Sequence, residues 1–131
     1  MNFHIFGILV VLFLFQNIDA KKSNEWKEWA THLNDETFFE FIESNKHVLV
    51  MFHTPGCIHC VRLVPIVHEV AKILTNKPSI TEVPVKIAIV DISKSADLAN
   101  KFNIKMTPML KLFRDRHVYP YDGPREDAKC K

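Results

Sequence analysis

No block of lysine or arginine occurs in this 131-residue chain, and its formal charge is only +2 with the signs interspersed. The electrostatic footprint of a nucleic-acid binder is missing, and that class is excluded. Cysteine is scarce as well. Cys57, Cys60 and Cys130 are the only three, and one motif uses the first two, which rules out a structural disulfide framework. Zinc needs a full tetrahedral ligand set; His53 and His59 stand near the pair, but no second cysteine pair completes one, so no metal is expected. No Asn-x-Ser/Thr sequon occurs, so N-glycosylation is not expected. Internal repeats, low-complexity tracts, linkers and a Lys-Asp-Glu-Leu type tail are all lacking. The longest apolar run, residues 5–15 interrupted only by Gly7, is too short to span a bilayer.

That run does suit a secretory signal peptide. Polar Gln16 and Asn17 and small Ala20 follow it, which places the expected signal peptide at 1–20 with cleavage after Ala20. The rival reading is an uncleaved signal anchor. Residues 21–28 read as a polar, flexible lead-in, and residues 29–131 as one domain. A signal peptide implies an oxidising compartment, where cysteine chemistry means disulfides made, broken or exchanged.

Within the domain the hydrophobic pattern alternates between strand and helix. Asn34-Asp35-Glu36 followed by Phe38, Phe39, Phe41 and Ile42 predicts an acidic helix start with an apolar face. Residues 48–52 are too continuously apolar for a half-exposed strand and predict a central, buried one. From Cys57 to Leu74 the positions Val61, Val64, Val67, Val70, Ala71 and Leu74 recur at helical spacing, with Pro65 inside to kink the helix. Residues 86–91 predict a second buried strand and 96–102 a short helix. Residues 109–113 and 118–121 predict a hairpin. The order β-α-β-α-β-β, after an uncertain start at 29–33, argues an α/β fold whose sheet has a parallel core.

The chemistry concentrates where the first buried strand ends. Pro55-Gly56 is followed by Cys57-Ile58-His59-Cys60. A helix beginning at Cys57 would set that thiol at the positive helix end with Cys60 one turn behind, favouring a thiolate at the first cysteine. Cys57 is thus the expected nucleophile and Cys60 the resolving thiol, with His59 placed to add positive charge. An inert structural disulfide is the bland alternative. A dithiol carries its own electrons, so no cofactor is expected.

These residues resemble the thioredoxin superfamily, and more closely the catalytic domains of protein disulfide isomerases. Residues 34–41 look like the family's first helix, and 48–60 like its central strand and active-site turn. Phe102-Asn103-Ile104-Lys105-Met106-Thr107-Pro108-Met109 looks like its cis-proline loop, and 110–115 with 121–125 like its last hairpin and the turn beyond. The resemblance implies a three-layer fold with a mixed sheet. It implies that Pro108 is cis and lines up substrate backbone with Thr107, Gly56 and Ile58, the alternative being a trans proline at a strand edge. It also implies that Arg125 swings toward the site to help Cys60 lose its proton; an ordinary surface arginine is the other reading.

Departures from the family pattern are equally specific. Met51 stands where the family carries a buried glutamate that accepts the proton of the second cysteine. Gly56 replaces the usual tryptophan, Ile58 the usual glycine, and His53 an aromatic residue, read here as a packed histidine. The chain stops where the family adds a long C-terminal helix, so that helix is expected to be truncated, leaving an uncovered sheet face open to self-association. The expected function is a thiol–disulfide oxidoreductase or isomerase in the endoplasmic reticulum lumen or secreted from it. Its partners would be cysteine-containing client proteins and a further redox partner, with no membrane span after cleavage. The rival is a peptide-binding module of the same fold with little or no turnover.

Overall fold

The apolar run at residues 48–52 forms the centre of the molecule. A computed structural model describes residues 29–78 and 81–121. The expected signal peptide and lead-in, Arg125, Cys130 and the expected truncation of the last helix lie outside those residues. In chain order the elements are β1 (Thr31–Leu33), α1 (Phe38–Ser44), β2 (His47–His53), α2 (Ile58–Asn76), β3 (Val85–Asp91), α3 (Ala96–Lys101), β4 (Met109–Arg114) and β5 (His117–Pro120). One sheet holds all five strands in the order β1-β3-β2-β4-β5. β3 is parallel to both β1 and β2, while β4 is antiparallel to β2 and β5. The fold is a thioredoxin-like α/β architecture with a mixed sheet. Among the described residues no helix is long and apolar enough to cross a membrane.

With strands on both sides, β2 must have both faces covered by helices, which is why it carries no polar face between His47 and His53. Val48, Val50 and Phe52 point into one layer, packed with Phe38 of α1 and Leu98 of α3. Phe38, Phe52, Phe102 and Phe113 stack there with ring centroids 5.1–6.4 Å apart, a geometry that adds to their area burial. Met51 points the other way, into a cluster with Cys60, Leu63, Val67 and Ala71 of α2 and Ile87, Ile89 and Leu110 of the sheet. Each such side chain contributes about 1.5–3 kcal/mol when fully buried. The alternation thus divides one strand between two cores.

Three local expectations change. In α2 the buried residues are Cys60, Leu63, Val67, His68 and Ala71, whereas Val61 and Val70 are exposed. The helix is apolar nearly all round, so periodicity alone could not choose the face that meets the sheet. Pro65 lies inside α2, as the sequence places it. At the first helix, Asn34-Asp35-Glu36 forms a turn before α1 rather than its first residues. The Asn34 Oδ1 accepts hydrogen bonds from the backbone N–H groups of Glu36 and Thr37, both at 3.0 Å, and this local turn competes with helix. Finally, Thr31–Leu33 is a true strand, paired with Ala88, Ile89 and Val90.

Candidate active site

The backbone turns from strand to helix at Cys57. This residue is the N-cap of α2, with φ −71° and ψ 115°. Gly56 before it has φ +79°, a left-handed conformation that costs glycine little and other residues more. No atom lies within 4 Å of where a Cβ would sit, so conformation rather than crowding calls for glycine here. Gly56 and Pro55 are exposed, and Cys57 is half-buried behind them.

Both thiols are free, and their surroundings differ sharply. The Cys57 Sγ accepts a hydrogen bond from the Cys60 backbone N–H at 3.2 Å and donates to the Thr107 carbonyl oxygen at 3.6 Å. Hydrogen bonding from the Cys60 side chain pulls the Cys57 thiol below its ordinary range. Burial opposes this, but the backbone N–H of Cys60, the Thr107 side chain and the backbone N–H of His59 all lower it further. The carbonyl contact belongs to the thiol form, whereas the donors favour the thiolate, and the donors prevail. Cys60 is almost fully buried, at 1% exposure. Burial pushes its thiol up, the Cys57 side chain adds to that, and the backbone N–H of Thr54 and the Thr107 side chain only partly compensate.

The second wall comes from the loop between α3 and β4. The Thr107–Pro108 peptide is cis, as the resemblance implied. Thr107 reaches Thr54 across the site, their hydroxyl oxygens 3.0 Å apart. Cys57 and Thr107 therefore meet at one mouth, with Ile58 exposed at the next position and Pro108 partly covered. His59 is exposed on the first turn of α2; its contribution to the Cys57 thiol is a backbone N–H. Arg125 lies outside the described residues.

Sequence reasoning missed several members of this site. Thr54 gave no signal of its own, because its role depends on pairing with Thr107. Val61 and Met106, 65% and 69% exposed, join Ile58 at 67% as large apolar side chains near the mouth. Met106 could have been noticed as an apolar residue between Lys105 and Thr107. Behind the mouth a groove of about 430 Å³ runs beside Cys60, bordered by His53, Thr54, Val61, Val64 and Pro65. Among the described residues no group of three or more His, Cys, Asp or Glu side chains is arranged to hold a metal ion.

Comparison with known proteins agrees with this geometry. The thioredoxin family model matches residues 29–131. A protein disulfide-isomerase of Medicago sativa is 33% identical over 132 residues, covering 95% of this chain and 25% of that protein. The Homo sapiens protein disulfide-isomerase A4 is 37% identical over 94 residues, covering 72% of this chain and 14% of that protein. Among solved structures, the first thioredoxin domain of mouse protein disulfide-isomerase A4 superposes with a TM-score of 0.67 at 28% identity. That match covers 79% of this chain and 74% of that one. The chain thus spans a quarter or less of the length of these two full-length relatives.

Proposed function

The chain belongs to the thioredoxin family, and on that premise we propose that it is a thiol–disulfide oxidoreductase of the disulfide-isomerase type. Its substrates are cysteine-containing proteins folding in the secretory pathway, in the endoplasmic reticulum lumen or on their way out of the cell. The observation that carries this reading is the split between the sulfurs: a half-exposed Cys57 whose thiol is lowered, over a buried Cys60 whose thiol is raised.

In the reducing direction the Cys57 thiolate attacks a client disulfide, forming a mixed disulfide and releasing one client sulfur as thiolate. Cys60 then loses its proton and attacks the Cys57 sulfur. The second client sulfur leaves, the client is reduced by two electrons, and Cys57–Cys60 becomes a disulfide. In the oxidising direction a client thiolate attacks that disulfide at Cys57 and Cys60 departs. A second client thiolate then expels Cys57. Donors that stabilise the Cys57 thiolate make it a good leaving group in this last step. The client becomes a disulfide, and the reduced pair must be reoxidised by a further disulfide donor.

The exposed Ile58, Val61 and Met106 supply apolar contact for a client segment beside its cysteine. Oxidative refolding of reduced ribonuclease and reduction of insulin test the reading. Cys57→Ser is expected to abolish both, and unchanged activity sinks it. A second reading, a client-binding module with negligible turnover, is favoured by the apolar Met51 packed in the Cys60 cluster. Client binding that survives Cys57→Ser combined with Cys60→Ser, together with an inactive wild type, would select that reading.

A further inference from the structure

We propose that His53 is the proton acceptor that lets Cys60 attack, working from the groove beside the buried thiol; this rests on the oxidoreductase reading above. The need for such a group follows from burial. Cys60 must become a thiolate to resolve a mixed disulfide, yet its burial opposes ionisation. Met51, in the same packed cluster, carries no group that takes a proton. The neighbouring Thr54 and Thr107 hydroxyls donate hydrogen bonds but are not bases at neutral pH.

The groove supplies what the core lacks. His53 lies two residues beyond Met51 on β2, and side chains at that spacing share a face of the sheet. His53 and Cys60 border the same opening, with Thr54, Val61, Val64 and Pro65, and His53 is the one base among its bordering residues. The Thr54 backbone N–H, which directly follows His53 in the chain, reaches the Cys60 thiol. At about 430 Å³ the opening holds water, each molecule of which occupies about 30 Å³ of liquid. In this proposal the proton crosses that shared opening from Cys60 to the imidazole.

A carboxylate stands behind the imidazole. In the parallel register of β2 and β3, His53 pairs with Asp91. The Ser93 backbone N–H and hydroxyl hold the Asp91 Oδ1 at 2.9 and 2.6 Å. Burial raises the Asp91 carboxyl, but Ser93, His53 and Lys94 outweigh it and keep it below its ordinary range. Asp91 is thus a fixed negative charge beside His53. The ionisable groups placed with His53 are Asp91 on β3, which Lys94 also approaches, and Cys60 of α2 across the opening.

The step balances. The Cys60 S–H proton moves to the imidazole, the Cys60 sulfur forms a bond to the Cys57 sulfur, and the Cys57–client S–S bond breaks. The client sulfur leaves with the electron pair, and the imidazolium returns its proton to solvent or to that leaving thiolate.

An aromatic disulfide probe that releases a coloured thiolate separates the two attacks in a single turnover. The first release reports Cys57 and serves as the reference step; the second reports Cys60. In His53→Gln the second release is expected to slow about tenfold or more relative to the first. Its rate–pH profile should then follow the ionisation of the Cys60 thiol alone, whereas the wild-type profile should not. In His53→Ala, added imidazole should restore the second release. Equal second release and identical pH profiles in wild type and His53→Gln, with Cys57-dependent turnover intact, overturn the His53 assignment and leave the oxidoreductase reading standing. No Cys57-dependent release in the wild type overturns both. Should both variants unfold, the wild-type profile decides, and a second release whose pH dependence is accounted for by the thiols alone overturns the assignment.

Discussion

Two cysteines three residues apart occupy opposite environments, and the contrast between mouth and groove shows how one helical turn divides a reaction. At the mouth, hydrogen bonding from the Cys60 side chain, N–H groups at the start of α2 and the Thr107 side chain favour negative charge on Cys57. At the groove, Cys60 is enclosed by the core of α2 and β2, and burial favours the neutral thiol. The helix gives the first sulfur its donors because backbone N–H groups are unpaired only at the start. The second sulfur lies on the buried side of that same turn, where desolvation dominates. Identical side chains therefore become attacker and reserve by position alone.

Alkylation offers the largest test of that contrast. Iodoacetamide at neutral pH should modify Cys57 at least about tenfold faster than Cys60, since the thiolate is the nucleophile. With rising pH the Cys57 rate climbs as its thiolate forms, through a midpoint below that of an ordinary thiol, and then levels off. Mass-resolved labelling across pH checks both points, and equal labelling of the two cysteines would erase the division.

A smaller change is expected at the facing loop. Thr107→Val keeps the shape but removes the hydroxyl that reaches Thr54 and the side-chain donor that favours the Cys57 thiolate. Loss of one such donor should amount to about a fivefold effect. The Cys57 alkylation midpoint should move up, and the neutral-pH rate should fall by about that factor. An unchanged midpoint would assign the mouth's electrostatics to the helix start alone.

The smallest effect concerns stability on the same side of the sheet as the groove. His68 of α2 is 3% exposed with its Nδ1 unpartnered. Burial holds its imidazole below the ordinary 6.5, and the charge of the nearby His32 lowers it further. Above pH 6.5 both folded and unfolded chains keep His68 neutral. As pH falls below that, the unfolded chain takes up a proton that the folded one refuses, and stability declines. His68→Leu should stabilise the fold by about 1 kcal/mol, with more of the gain at pH 5 than at pH 7. Thermal melts at the two pH values measure it; an equal or larger acid loss in the variant would show that His68 is not the sensitive group.

The parts of this molecule legible in its sequence were those written in consecutive residues. The run at 48–52 announced a strand buried on both faces, and Pro55-Gly56-Cys57 announced the turn that starts α2. What was not legible depended on partners distant in the chain. His53 read as a packed histidine because its neighbour Asp91 is set by a parallel register that no local pattern encodes. Thr54 acquires meaning only from Thr107, and the apolar positions of α2 left its buried face undecided until the sheet chose it. The contributions expected of Arg125 and Cys130 fall on residues that the described structure does not include.

The Thr54–Thr107 contact carries one more consequence. It joins the loops that leave β2 and enter β4, neighbours whose register runs from His47 opposite Arg114 to Phe52 opposite Met109. A slip of one residue would displace one loop from the other by about 3.3 Å and turn alternate side chains to the wrong face. The part of the Cys57 lowering that Thr107 supplies therefore depends on correct pairing of the central strands. A misregistered copy would lose that share of its reactivity, so the rate at Cys57 reads out, in part, whether the central strands have paired correctly.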